Sequence, residues 1–359
     1  MKKSLLVALL CMVLVVVSAC TAKPVETTEP APVAKAETET EKPAEPVTGG
    51  NLVVYSPNSE GLMNATVPLF EEKYGIKVEV IQAGTGELIK RLSSEKDSPY
   101  ADVMFGGSFS QFYSNADLFQ NYVSPEDVNV LEAYQNTTGF TTSYVLDGSC
   151  IIVNKSLIGD IPVTGYKDLL NPELKGKIAS ADPANSSSAF AQLTNSLLAM
   201  GGYENDAAWE YIDALFTNID GKIMGSSSKV YKSVADGEML VGLTYEDPSA
   251  GLVRDGADVE IVYPVEGTVY LPATAAIVKD CENLENAKLF IDFIISEEIQ
   301  NIYGTTLTNR PVRTGAEVGT YLMPITDINV IKEDIPYVNE NKATIVEKYI
   351  EIFTNIGSN

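Results

Sequence analysis

Histidine occurs nowhere in the 359 residues. Its absence removes Ser-His-Asp and Cys-His catalysis, imidazole acid–base chemistry and histidine metal sites together. Any enzyme left would have to work with carboxylates, lysine or a bound cofactor. Basic residues are scarce as well: 25 Lys and Arg stand against 49 Asp and Glu, a formal net charge of −24. That balance argues against nucleic acid and against polybasic membrane binding. It does not forbid an anionic small ligand, because distant charge is screened within about 8 Å at physiological salt. A few backbone N–H groups pointing at a ligand outweigh a remote negative field. There are four cysteines. Cys150 and Cys281, in the globular part, either pair outside the cytoplasm or stay as buried free thiols. Sequence does not give the separation that would decide. After the first twenty residues no stretch is long and apolar enough to span a bilayer.

Those first twenty residues are the most informative. Lys2 and Lys3 make a basic start, 5–17 is almost wholly apolar, and Ser18-Ala19 precede Cys20. This is a secretory signal whose cleavage site resembles a bacterial lipobox. The resemblance implies a signal peptide over 1–19 and a lipid on Cys20, the first mature residue. Residues 21–50 carry Pro24, Pro30, Pro32, Pro43 and Pro46 with much Thr, Glu and Lys, and no aromatic residue, Leu or Ile. Such a segment buries too little apolar surface to order itself, and Pro-rich chain extends at about 3 Å per residue. Over 20–50 the sequence therefore reads as a disordered tether.

From residue 51 onward about 310 residues have globular composition, past the size at which one core keeps growing, so two lobes are expected. Leu52-Val53-Val54-Tyr55 reads as a buried strand, broken by Ser56-Pro57-Asn58 before a helix over 60–73. Ile76-Lys77-Val78-Glu79-Val80 alternates as a strand, broken by Ala83-Gly84-Thr85-Gly86 before a helix over 87–94. Ala101-Asp102-Val103-Met104-Phe105 is followed by Gly106-Gly107-Ser108 and another helical run. Strand, small polar loop and helix, three times over, predict α/β architecture with a mostly parallel sheet. The pattern returns with a strand over 150–154 and with Ser186-Ser187-Ser188 leading into a helix over 189–200. A helix spans 206–217, and Ser226-Ser227-Ser228 opens another over 229–236. Strands over 239–243 and 260–263 end at Tyr245-Glu246-Asp247-Pro248 and Pro264-Val265-Glu266-Gly267. A strand over 274–278, an amphipathic helix over 283–295 and a helix over 342–353 complete the chain.

The order of these pieces resembles the extracytoplasmic solute-binding proteins of ABC importers, in the branch of ferric-ion, phosphonate and hexose-phosphate binders. The matching stretches are 52–56, Phe70-Glu71-Glu72-Lys73-Tyr74-Gly75-Ile76, 101–108, Tyr166-Lys167-Asp168-Leu169-Leu170-Asn171-Pro172 and Lys175-Gly176-Lys177-Ile178. They continue with Asp182-Pro183-Ala184-Asn185-Ser186, Pro264-Val265-Glu266-Gly267-Thr268 and Asn286-Ala287-Lys288-Leu289-Phe290-Ile291. The resemblance covers nearly all of 51–310. It implies an α/β, two-lobed periplasmic-binding-protein-like fold of type II, with ligand in the cleft between lobes. Lobe 1 would be 51–150 plus 267–320, and lobe 2 would be 151–266 plus 321–359. It also implies a non-enzymatic, monomeric, lipid-anchored protein outside the cytoplasmic membrane, without cofactor or resident metal, delivering a small molecule to an ABC permease.

In open α/β sheets ligands sit beyond the carboxyl ends of strands, and there the strand-to-helix loops carry Ser56, Thr85-Gly86, Ser108, Ser186-Ser187-Ser188 and Ser227. Helix N-termini leave about four N–H groups without intrahelical partners and add roughly half a positive charge. Small hydroxyl residues let an oxyanion approach, making a phosphate, phosphonate or carboxylate site without Arg or Lys. Taken singly, each Ser or Thr serves as well as a plain N-cap; as a set at one end of the sheets they point to a site. Tyr245, Glu246, Asp247 and Glu266 form a second group, able to accept hydrogen bonds from ligand hydroxyls or to pair with an amine. In the hexose-phosphate binders acids at similar places contact sugar hydroxyls, and Glu266 matches that motif best. Before the aspartate those binders have a histidine where this chain has Glu246. The ferric relatives use adjacent tyrosines with a histidine and a glutamate; here Thr244-Tyr245-Glu246-Asp247 offers one tyrosine and an oxygen-only set. The sequence thus indicates capture of a small anionic solute, a sugar phosphate or an aminoalkylphosphonate. Ferric iron, or a sensor with the same fold, is the alternative.

Overall fold

A computed structural model describes residues 49–357. The signal, Cys20 and nearly all of the expected tether lie outside the described residues. The chain opens with β1 (Asn51–Ser56), α1 (Glu60–Tyr74), β2 (Lys77–Gln82), α2 (Thr85–Glu95), β3 (Val103–Ser108) and the short α3 (Phe109–Tyr113). A long strand, β4 (Thr142–Asn154), leads to β5 (Ile178–Ala181), α4 (Ser187–Ala199), α5 (Asp206–Ile219), β6 (Ile223–Met224) and α6 (Ser227–Ala235). β7 (Val241–Tyr245), α7 (Glu246–Arg254), β8 (Val259–Val262) and β9 (Tyr270–Ile277) follow. α8 (Leu284–Ile294), α9 (Glu297–Thr305), β10 (Arg310–Pro311) and α10 (Ile335–Gly357) end the described chain.

The strands run in the order β2-β1-β3-β9-β4-β7-β5-β6, with β8 and β10 also paired to β4. Pairing is parallel at the two ends, β2-β1-β3 and β7-β5-β6, where helices return the chain between strands. It is antiparallel wherever β4 or β9 takes part. The mostly parallel sheet expected from the strand–helix rhythm is therefore a mixed one. β4 is long enough to pair with β9 over 142–148 and with β7 over 149–153, so it belongs to both ends of the sheet.

Each end has its own apolar core on both faces. Phe70, Phe105, Phe290, Phe293 and Ile294 fill one face around β1 and β3, and Leu88, Leu92, Phe112 and Phe119 fill the other. At the far end Tyr166, Leu197, Ile212, Phe216 and Tyr349 pack together, as do Ile152, Ala179, Val230 and Val234. Tyr349 and Ile345, on the apolar face of α10, fasten the last helix to the second of these regions. The sequence predicts only a strand end at Tyr245-Glu246-Asp247-Pro248, and no helix after it. Glu246, Asp247 and Pro248 are instead the first turn of α7, where acids suit the positive helix end and proline loses no hydrogen bond.

Candidate functional site

A cavity of about 510 Å³ opens where the two ends of the sheet meet across β4 and β9. Thr85 at the start of α2 lines it from one side. Ser187 and Ser188 at the start of α4 and Ser227 at the start of α6 line it from the other. Neither α2 nor α6 has a side-chain cap on its first amides; Glu87 N and Lys229 N donate to the carbonyls of Gly84 and Ser226, which leaves the first two amides of each helix available to an incoming acceptor. The hydroxyls of Ser186, Ser188 and Ser227 bond to one another: Ser186 Oγ to Ser227 Oγ is 2.7 Å, Ser186 Oγ to Ser188 Oγ is 3.3 Å, and Ser188 also meets Ser227. A hydroxyl can rotate from its neighbour to a ligand oxygen, so the cluster is a reserve of donors. Ser187 Oγ has no hydrogen-bond partner among the described residues and is exposed in the cleft.

Ser108 lines the same cavity from the β3–α3 turn, with its Oγ donating to Gln111 Oε1 at 3.0 Å. This turn lies close to its neighbours because Gly106 and Gly107 have φ of 116° and 126°. A Cβ on Gly107 would come within 2.8 Å of Thr85 Cγ2, and one on Gly106 within 2.8 Å of Asn58 Oδ1. Asn58 completes this wall. Its Nδ2 donates to Phe105 O at 3.0 Å, and its Oδ1 accepts from Tyr144 Oη at 2.7 Å.

The floor is strand. Asp147, Gly148 and Ser149 of β4, with Leu271, Pro272 and Ala273 of β9, line the cavity, and Tyr245 closes it at the end of β7. No lysine or arginine is in this lining. Asp147 touches cleft water on one side and has protein on the others. That desolvation, and then the charges of Asp247 and Glu246, push its carboxyl up to about 7. Burial, followed by the charge of Asp147, holds the Tyr245 phenol well above its ordinary range.

The other residues singled out from sequence are placed elsewhere. Ser56 is buried; its Oγ donates to Phe105 O at 2.6 Å and accepts from Asn58 N at 3.1 Å, so it braces the loop rather than lining the cavity. Gly86 follows Thr85 in the first turn of α2 and is not in the lining. Ser186 caps α4, accepting from Ala189 N at 3.3 Å. Glu246 is 1 % exposed and takes both arms of Arg310, Nε at 2.8 Å and Nη2 at 2.6 Å. It also accepts from Tyr263 Oη at 2.5 Å and Tyr270 Oη at 2.9 Å. Asp247 accepts from Thr308 Oγ1 at 2.7 Å. Tyr245, Glu246 and Asp247, the oxygen-only set offered for ferric iron, thus do not converge on one point. Glu266 accepts from Tyr166 N at 2.9 Å and Lys167 N at 3.0 Å and lies outside the cavity. The disulfide considered for Cys150 and Cys281 is not formed: both are free. Cys150 is buried on β4 with Ser249 Oγ at 3.9 Å. Cys281 lies beyond the far end of β9, where burial and then Asp102 push its thiol up to about 12.

Asn58, Asp147 and Ser149 are lining residues that the sequence did not single out. Asn58 read as part of a strand breaker. Asp147 had a usable signal, a charged residue between apolar stretches. A second space of about 400 Å³ continues the cavity past Ser108, Ser187 and Pro272. A larger one of about 680 Å³ lies beyond Leu271 and Pro272. The long helix end there belongs to α10, and its amide at Tyr337 already bonds Asp334 Oδ1 at 3.1 Å. The lining of that space sets Glu333 and Asp334 against Lys332 and brings together, among the described residues, no cluster of free helix amides and hydroxyls, so the 510 Å³ cavity is the stronger candidate.

The chain is similar to known proteins in both sequence and fold. The chain is 24% identical over 278 residues to iron uptake protein A1 of Synechocystis, covering 73% of this chain and 76% of that one. It is 24% identical over 251 residues to a putative 2-aminoethylphosphonate-binding periplasmic protein of Salmonella typhimurium, covering 68% and 72%. A periplasmic binding protein of Actinobacillus pleuropneumoniae, solved with exogenous fructose-6-phosphate bound, superposes with a TM-score of 0.69 at 26% identity. That match covers 85% of this chain and 99% of the other, and the two-lobed type II fold expected from the sequence is the fold found. Residues 65–320 match the bacterial extracellular solute-binding proteins, and the chain belongs to that family.

Proposed function

We propose that this chain is the substrate-binding component of an ABC importer, capturing a small anionic solute, a sugar phosphate or an aminoalkylphosphonate, for a permease in the cytoplasmic membrane. The observation that carries this reading is the meeting of three helix starts, those of α2, α4 and α6, at one cavity lined by hydroxyls and by no basic side chain. An oxyanion there takes hydrogen bonds from free amides and serine hydroxyls, and the helix dipoles favour its charge. The relatives named for 2-aminoethylphosphonate and solved with fructose-6-phosphate lend support. The two lobes are 51–150 plus 267–320 and 151–266 plus 321–359; ligand draws them together, and the closed form docks on the permease. No bond of the solute is made or broken. Lipid on Cys20 and the tether after it hold a single chain outside the membrane.

A thermal-shift panel of hexose phosphates, phosphonates, thiamine, polyamines and ferric salts tests the reading. A phosphate or phosphonate at about a hundred times its Kd is expected to add about 2.7 kcal/mol of stability. A panel in which only thiamine, polyamines or ferric salts raise the Tm, or in which nothing does, overturns it.

A further inference from the structure

The other acids grouped around this cleft are already engaged. Glu246 has Arg310, Tyr263 and Tyr270, and Asp247 has Thr308. Asp147 is the exception. It is the one exposed residue in the thirteen of β4, which is otherwise buried from end to end. Its carboxylate accepts no hydrogen bond and joins no ion pair among the described residues, yet it lines the same cavity as Thr85, Ser187, Ser188 and Ser227. Its nearby charges are the like ones of Asp247 and Glu246, and Arg310, the buried partner of Glu246, is already paired. The protein thus supplies donors for an anion on one wall and an unmatched carboxylate on the floor.

We propose that Asp147 selects the cargo by pairing with a cationic group on it, so that the solute is a zwitterion with an oxyanion at one end and an ammonium at the other. This rests on the anion-binding reading of the cleft. An ammonium donates hydrogen bonds to Asp147 and offsets the surrounding negative charge. A sugar hydroxyl donates one bond and offsets none of that charge. A bare cation would leave the serine hydroxyls and helix starts with nothing to bind. A carboxylate left unpaired beside a bound neutral group is costly, and discrimination follows from that cost.

The test is calorimetric titration of the full chain with 2-aminoethylphosphonate, ethylphosphonate, an ω-amino carboxylate of the same length and a hexose phosphate, repeated with Asp147→Asn. The wild-type chain is expected to bind an amino ligand, phosphonate or carboxylate, at least about tenfold more tightly than ethylphosphonate or the hexose phosphate. The two amino ligands tell which oxyanion is carried. In Asp147→Asn the two phosphonates are expected to bind within about threefold of each other, and residual ethylphosphonate binding shows that the variant is folded. Equal wild-type affinity for ethylphosphonate and its amino form, tighter binding of the hexose phosphate, or an amine preference that survives in Asp147→Asn overturns the role of Asp147 and leaves the anion site standing. Binding of none of the four overturns both.

Discussion

At Asp147 the needs of the empty protein and of the loaded one conflict. A strand position with buried residues on both sides favours an apolar side chain, and an ionised carboxylate there without a partner costs stability. The folded carboxyl is pushed up from 3.8 to about 7 by desolvation and by Asp247 and Glu246. Between those two values the folded chain binds more protons than the unfolded one, so stability falls as pH rises through that window. Asp147→Asn is expected to remove this residue's share of the fall, leaving that of the other raised carboxyls, Asp127, Asp247, Asp292 and Glu333. Chemical denaturation of the empty protein at pH 8 should show the variant more stable by about 1 kcal/mol, a small figure because the group meets water, with little difference at pH 4. A variant less stable than wild type at pH 8 would show that the carboxylate has a partner after all. The sequence made the serine-rich helix starts legible, because Ser before an apolar periodic run is a local signal. It did not reveal that Glu266 caps the turn at Tyr166 and Lys167, since residues a hundred positions apart carry no local trace of their meeting.

Among the elements, the joint between β10 and α7 stands out. Arg310 and Glu246 are 2 % and 1 % exposed and make a two-pronged pair. Tyr263 and Tyr270, at either end of the chain segment joining β8 to β9, close over the carboxylate. Gly148 makes room for this: a Cβ there would fall 2.3 Å from Tyr270 Cε1. Arg310→Ala would leave Glu246 buried without a counter-charge, and urea unfolding is expected to show a loss of about 3–5 kcal/mol. Replacing both residues together by Met and Leu is expected to recover most of that, since an apolar pair needs no desolvated charge. A loss below about 1 kcal/mol for Arg310→Ala would mean that water reaches the pair. The sequence could not distinguish this use of Glu246 from a ligand contact. It placed the acid at a strand end correctly, but the arginine comes from a strand 64 residues on, and short β10 has no pattern of its own.

At the scale of the molecule, two sheet ends with separate cores are joined through β4, through the stretch from β8 to β9 and through the stretch from β10 to α10. A change in angle between the ends confined to these connections would leave both cores intact. Small-angle scattering is expected to show a smaller radius of gyration with a saturating ligand than without it. An unchanged radius despite measurable binding would mean that the cavity accepts ligand without the lobes moving.

Composition alone excluded histidine chemistry and argued against nucleic acid, and periodicity placed most strands and helices and called for two α/β lobes with an oxyanion-friendly set of loops. Those are properties of single elements: which face of a strand or helix turns inward is written in the spacing of its own residues. The assembly of the cleft was not written there. Strand order and register brought Asn58, Asp147 and Tyr245 to the serines of α4 and α6, and the same folding turned Glu246, Asp247 and Glu266 to partners inside the protein. Contacts between elements depend on how the sheet is threaded, and a linear spacing does not contain that information.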